Sequence, residues 1–183
     1  VLEKLITSLE TCPIVKRGEY NYFIHPITDG VPRVDSALLR DVAAGMVKAL
    51  DLKGVEMFVV AEAMGIHIGT ALSLITDIPF TIVRKRWYRL PGEVALHQIT
   101  GYSKGELYLN GVSKGNRVVI VDDVISTGGT MRALIGALEY VGAEVVDICV
   151  AIQRGKPDIG RPYKALVRVE VSPTQVRILD TLF

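Results

Sequence analysis

The chain has 183 residues, enough to bury one sizeable core and short for two typical domains. Its 49% hydrophobic and 22% charged content is that of an ordinary globular protein, not of a disordered or fibrous chain. With 21 Lys and Arg against 20 Asp and Glu the net charge is +1, which removes the broad electrostatic case for a nucleic-acid partner. Cys12 and Cys149 are isolated, giving neither a bridge framework nor a paired zinc spacing. No run approaches the length of a membrane span, and Val1–Glu10 is amphipathic and charged, unlike a signal peptide, so the cytoplasm is the expected compartment.

Taken in chain order, Leu2, Leu5, Ile6 and Leu9 recur at helical spacing. Residues 12–34 mix prolines and glycines with aromatics and read as an irregular segment with short strands. Asp35 or Ser36 can cap a helix running to about Leu50, with apolar residues at 38, 39, 42, 43, 46, 47 and 50. Met57–Ala61 reads as a strand, Ile66–Ile75 as a helix and Phe80–Val83 as a strand. Residues 85–104 carry no clear periodicity, and a structureless stretch of that length inside a domain predicts a lid. Leu107–Leu109 suggests a short strand before a turn at Asn110-Gly111. There follow a strand from Val118, a helix from Gly129 to about Val141, and strands over Val145–Ile152, Tyr163–Val171 and Val176–Leu179. Alternation of strand and helix from 57 to 152 predicts an α/β fold, with a central parallel sheet flanked by helices. Ligands bind such sheets outside the carboxyl ends of the strands. The loops after Ala61, Val83 and Asp122 therefore converge on one crevice.

The most informative of these is Val118-Val119-Ile120-Val121-Asp122-Asp123-Val124-Ile125-Ser126-Thr127-Gly128-Gly129-Thr130. A buried β-branched strand ends in two carboxylates, then in small hydroxyl residues and glycines, and then in a helix. Backbone N–H groups of Ser126, Thr127, Gly128, Gly129 and Thr130 at a helix start suit a phosphate. Asp122 and Asp123 must meet something else, such as sugar hydroxyls or a metal. Gly129 occupies the place where a Walker A loop needs Lys, and the spacing does not fit the dinucleotide fingerprint. Phosphoribosyl pyrophosphate, with a phosphate, a ribose and a bound divalent cation, satisfies the whole loop.

Glu62-Ala63-Met64-Gly65 forms a second strand–loop–helix junction and a second anion site, matched to a pyrophosphate. Arg84 and Lys85, with Arg86 and Arg89 close behind, stand at the mouth of the crevice, where cations would neutralise a departing pyrophosphate.

The thirteen-residue segment resembles the ribose-phosphate signature of the type I phosphoribosyltransferases. Residues 57–152 further resemble the adenine phosphoribosyltransferases and their relatives, through Glu62-Ala63-Met64-Gly65, Arg84-Lys85, Leu90-Pro91-Gly92-Glu93 and Tyr102-Ser103-Lys104-Gly105-Glu106-Leu107. Val15–Asp29 is similar to that family's N-terminal hood, with Phe23 where the base stacks. The extended match most resembles the archaeal hypoxanthine/guanine enzymes, whose sequences look adenine-type.

The resemblance implies transfer of a 5-phosphoribosyl group to a purine, with Mg²⁺ as cofactor, in a homodimer. Asp122 and Asp123 would hold the ribose hydroxyls and orient the metal, directly or through water. The loop 126–130 would hold the 5′-phosphate, and Glu62–Gly65 with Arg84 and Lys85 the pyrophosphate. Phe23, Ile24 and Tyr102 would form the base site. Three positions depart from the related patterns: Met64 replaces an Arg, Gly101 replaces a Glu, and Ser126 replaces the Asp that works at N7 in other hypoxanthine enzymes. Loss of the carboxylate at Gly101 favours hypoxanthine, with guanine second, over adenine. Glu106 and a water both remain as handlers of the N7 proton. A non-catalytic regulator that senses phosphoribosyl pyrophosphate is the rival reading from another class.

Overall fold

In the computed structural model, which describes residues 1–102 and 104–183, Leu5 and Leu9 lie fully buried on one side of helix α1 (Glu3–Glu10), with Leu2 buried just before it. The hood follows as a hairpin, β1 (Ile14–Arg17) and β2 (Tyr20–Phe23), turning at Gly18 with φ 61°. It ends in the short helix α2 (Pro26–Asp29). His25 is fully buried and caps that helix: its Nδ1 accepts from the Ile27 N–H at 3.2 Å, and its Nε2 pairs with the Ser8 hydroxyl at 2.8 Å. Burial pushes its pKa down to about 4, so the neutral ring is a structural tie between hood and α1.

Asp35 caps α3 (Ser36–Ala49), accepting from the N–H groups of Ala37 and Leu38 at 2.8 and 3.4 Å. From within α3, Asp41 reaches back to α1 and accepts from the N–H groups of Leu2, Lys4 and Leu5 at 2.9, 2.9 and 3.1 Å. The first N–H groups of a helix have no partner in it, and a carboxylate there also meets the positive end of the dipole. One side chain thus joins the two helices that cover one face of the sheet.

Beyond α3 the chain alternates: β3 (Met57–Ala61), α4 (Gly65–Thr76), β4 (Phe80–Val83), β5 (Val94–Ala95), α5 (Leu96–Thr100), β6 (Tyr108–Leu109), β7 (Arg117–Ile125), α6 (Gly129–Val141), β8 (Glu144–Arg154), β9 (Lys164–Val171) and β10 (Val176–Thr181). The central sheet has six strands in the order β10-β9-β8-β7-β3-β4. Val119 and Val121 of β7 face the core cluster shared with α1, α3 and α4, while Val118 and Ile120 face the cluster shared with α6. This is the period-two alternation of a strand buried on both faces.

One expectation is extended and one needs correction. The strands of the central sheet within 57–152 are parallel, as expected, and the sheet becomes mixed only at its edge, where β10 runs antiparallel to β9. The connection is a tight turn in which the Ser172 N–H donates to the Gln175 carbonyl at 3.0 Å, and a connection that short can only reverse the chain. Residues 85–104 are also not structureless, since they hold β5 and α5, and Arg84 exchanges two backbone hydrogen bonds with Tyr108 at 3.1 and 2.7 Å. A two-residue strand and a five-residue helix are too short to leave a period in the sequence. Ser103, within that run, lies outside the described residues.

Replacing Asp41 by Ala removes a three-point cap. A loss of about 1 kcal/mol is expected, lowering the midpoint of thermal unfolding by about 2–4 °C for a domain of this size. An unchanged midpoint in calorimetry would mean that water replaces the carboxylate without loss.

Candidate functional site

The carboxyl ends of β3 and β7 face each other across a cleft of about 280 Å³, walled by Ala61–Met64 on one side and Asp122–Met131 on the other. Two of the three loops expected to converge line it, and the third enters through an adjoining cavity of about 210 Å³, which Lys85 lines.

Strand β7 carries on through the acidic pair to Ile125, pairing with β8 as far as Gln153, so the carboxylates are held by a rigid ladder and not by a loop. Asp122 and Asp123 are both buried, and the Asp123 N–H donates to Asp122 Oδ1 at 3.0 Å. Burial pushes both carboxyl pKa values up, and the charge of Asp122 raises that of Asp123 further. Gly65 makes room for this packing: a Cβ there would lie 3.1 Å from Val60 Cβ and 3.5 Å from Asp122 Oδ1.

Past the strand, Ser126 and Thr127 are exposed, and Gly128, with φ 83°, turns the chain into α6. Such a φ is open to glycine and strained for other residues. The first N–H groups of α6 lie in the cleft wall without helical partners. Tyr102 closes this end, its hydroxyl 3.1 Å from Thr130 Oγ1. A Cβ at position 129 would lie only 2.4 Å from Tyr102 Cε2 and one at position 136 only 2.7 Å from Thr100 Cγ2, so two glycines of α6 seat α5 and the residue that follows it.

The remaining expected site residues divide. Glu62 lines both cavities, and its carboxylate is also engaged by protein: it accepts from Arg84 Nε at 3.0 Å and from the Lys85 N–H at 2.6 Å. That backbone bond first, and then the Arg84 guanidinium, hold its pKa below the usual carboxylate range. Arg84 is thereby a clasp between the ends of β3 and β4, while Lys85 points to the adjoining cavity. Lys104 lines both cavities and was not singled out from the sequence; its place in the run Tyr102–Leu107 was the available signal.

Ala63 and Met64 line the main cleft. A Cβ at Gly30 would touch Met64 Cε at 3.5 Å, so Met64 abuts the hood. Phe23 is buried in the core beside α1 and α3, and the Ile24 N–H is engaged by the Pro13 carbonyl at 2.8 Å. Neither lines the cleft, and Tyr102 stands at its helix-start end rather than beside the hood.

Cys149 is fully buried and its thiol is pushed up to about 12, which makes it the inert core residue its sequence context suggests. Among the described residues no group of three or more His, Cys, Asp or Glu could hold a metal ion. The acidic pair suits instead a cation that arrives with ligand phosphates, since Mg²⁺ is commonly bound by one or two carboxylates plus phosphate and water oxygens.

A carboxyl whose folded pKa is raised keeps its proton longer in the native state, so stability falls as pH rises above the ordinary value of 3.8. Asp123→Asn removes the buried charge. Its unfolding midpoint should exceed that of the parent at pH 7.5, by on the order of 2–4 °C for each kcal/mol relieved, and the gap should close as pH approaches 4. A lower midpoint for the variant at pH 7.5 would refute this account of the pair.

Comparison with known proteins agrees with the geometry. The family profile of the phosphoribosyl transferase domain matches residues 37–180. A hypoxanthine/guanine phosphoribosyltransferase from Methanosphaerula palustris is 68% identical over 180 residues, covering 98% of each chain. One of the same name from Methanocorpusculum labreanum is 60% identical over 100% of both chains. Among solved structures, an adenine phosphoribosyltransferase from Thermoanaerobacter pseudethanolicus shares the fold, with a TM-score of 0.72 at 24% identity, over 92% of this chain and 99% of that one. The chain belongs to the phosphoribosyltransferase family.

Proposed function

We propose that this protein is a purine-salvage enzyme, a hypoxanthine/guanine phosphoribosyltransferase. It converts a 6-oxopurine and phosphoribosyl pyrophosphate to the nucleoside 5′-monophosphate and pyrophosphate. The observation that carries the reading is the buried Asp122–Asp123 pair, set in one cleft between a glycine-rich helix start and the loop 62–65.

In the reaction the bond from ribose C1 to pyrophosphate oxygen breaks, purine N9 bonds to C1, and the proton on N7 passes to a water or to Glu106. The transition state resembles an oxocarbenium ion, as in glycoside chemistry. Backbone N–H groups of 126–130, with the hydroxyls of Ser126, Thr127 and Thr130, take the 5′-phosphate. Asp122 and Asp123 take the 2′- and 3′-hydroxyls and fix the ring for attack. Lys85, with Lys104 beside it, offsets the charge that builds on the leaving pyrophosphate. Arg84 acts through Glu62, holding Lys85 and the loop 62–65 in register. Asp122 and Asp123 would hold Mg²⁺, directly or through water, and the ion would supply charge neutralisation to the leaving pyrophosphate. The α5 segment and Tyr102 limit water access to the activated sugar.

Hypoxanthine is the favoured base, guanine the second. Gly101 offers no carboxylate to a purine, and the relatives at 68% and 60% identity bear the hypoxanthine/guanine name. The base enters on the hood side of the cleft, where Gly30 abuts Met64, with Phe23 in the core behind it and the Ile24 N–H already engaged by Pro13. The homodimer has a face available on α3 and α4, where Leu39, Ile66 and Ala71 line an apolar groove and Leu74 is 80% exposed. No helix among the described residues is long and apolar enough to cross a membrane, and the cytoplasm remains the proposed compartment.

Hypoxanthine, phosphoribosyl pyrophosphate and Mg²⁺ should yield inosine monophosphate with release of pyrophosphate, and EDTA should abolish turnover. Asp123→Asn should lower kcat/KM by about a hundredfold, near 3 kcal/mol of transition-state stabilisation. In a three-way competition, hypoxanthine and guanine should be used ahead of adenine. Tight binding of the sugar phosphate with no pyrophosphate released would instead identify a sensor, and a preference for adenine would overturn the choice of base.

A further inference from the structure

Arg132 stands in the first turns of α6, exposed and outside the cleft. Its Nη1 donates to two carbonyls from separate parts of the chain, that of Thr127 at 3.1 Å and that of Asp158 at 2.8 Å. The first belongs to the glycine-rich loop, the second to the connection between β8 and β9. The same connection closes on the outer side of Gly128. A Cβ there would lie 2.9 Å from Arg132 Nη1, 3.1 Å from Ile159 Cγ2 and 3.3 Å from Pro157 Cβ. Ile159 is itself buried in the core beneath α6, so this outer wall is anchored.

A trans peptide is planar, with its C=O and N–H pointing in opposite directions. The Thr127 carbonyl is turned outward to Arg132, so the Gly128 N–H of the same peptide is turned toward the cleft that Thr127 and Gly128 line. A guanidinium on the carbonyl also polarises the peptide and strengthens its N–H as a donor. We propose that Arg132 is a positioning residue for the 5′-phosphate: it sets and charges the Thr127–Gly128 peptide from behind, and never touches substrate. The proposal rests on reading loop 126–130 as the 5′-phosphate cradle. A lysine would keep the charge, but on a shorter side chain with no planar group to fix its donors between the Thr127 and Asp158 carbonyls.

The test is steady-state kinetics of Arg132→Met and Arg132→Lys, with ribose 5-phosphate as a competitor of phosphoribosyl pyrophosphate. The 5′-phosphate is held alike in ground and transition states, so its loss is a loss of uniform binding. Arg132→Met should raise the KM for phosphoribosyl pyrophosphate and the inhibition constant of ribose 5-phosphate in parallel, by about tenfold, the worth of one good hydrogen bond. Its kcat and its KM for hypoxanthine should move by less than about twofold. Arg132→Lys should fall between the variant and the parent, and it decides the matter alone if Arg132→Met does not fold. Two outcomes would overturn the role: constants for both sugar phosphates equal to the parent's, or an equal loss spread over kcat and the hypoxanthine KM. In either case ribose 5-phosphate would still compete in the parent and the cradle would stand. Failure of ribose 5-phosphate to compete in the parent would remove the cradle, and the role of Arg132 with it.

Discussion

Everything at this site depends on keeping two adjacent carboxylates out of water at the end of a buried strand. An isolated buried charge is expensive, and a second one beside it makes the first worse. The fold meets this constraint with backbone and not with opposite charge. Asp122 and Asp123 lie inside the β7–β8 ladder, Asp122 accepts the N–H of its neighbour, and Gly65 lets the start of α4 come close without a side chain. The pair lines the cleft, and through that opening its carboxylates can meet hydroxyls and cations. Burying two like charges costs stability, so the local cost and the proposed function have the same origin.

Helix α6 organises the other half of the cleft. Three glycines at its start and along one side permit three close approaches, each of which a Cβ would obstruct. Gly128 admits the wall of Pro157 and Ile159, Gly129 lies under the ring of Tyr102, and Gly136 lies under Thr100. The first approach fixes the outer face of the glycine-rich loop. The other two fix where the lid segment lands. Phosphate binding and lid position therefore share one rigid body, and the Tyr102–Thr130 hydroxyl contact is the point at which they meet.

Much of this was legible from the chain because the informative signals are local. The β-branched run before Asp122, the glycines after it and the apolar spacing of α6 all lie within one strand–turn–helix, and the helix bounds Gly129 and Val141 fall where the periodicity puts them. The cap at Asp35 was readable for the same reason. What was not legible depends on pairing between distant segments. Glu62 reads as part of a pyrophosphate loop in sequence, and nothing there shows that the parallel pairing of β3 with β4 also brings its carboxylate to Arg84. Asp41 gives no sign that it caps a helix starting at Glu3, nor His25 that it links α2 to Ser8. The structure within 85–104 leaves no trace in the sequence because β5 and α5 are shorter than the period that would reveal them.

The division of labour along the chain bears on how one fold comes to serve different bases. The cleft proposed for the sugar phosphate is built from the adjacent strands β3 and β7 and the starts of α4 and α6, and is braced from behind by the 155–160 connection. The hood comes from a different stretch, ahead of α3, and meets the cleft at the contact of Gly30 with Met64. Its hairpin is closed by its own hydrogen bonds, Ile24 to Pro13 among them, and pinned by Arg154, whose guanidinium donates to the Asn21 carbonyl at 2.6 Å and lies 3.9 Å from the Tyr20 ring centroid. Changes in the hood and at positions such as Gly101 can therefore alter the polar groups offered to a base without disturbing the acidic pair or the helix start. That separation would let chains that share this fold, at 24% identity to an adenine phosphoribosyltransferase, keep the cleft and differ in the base they take.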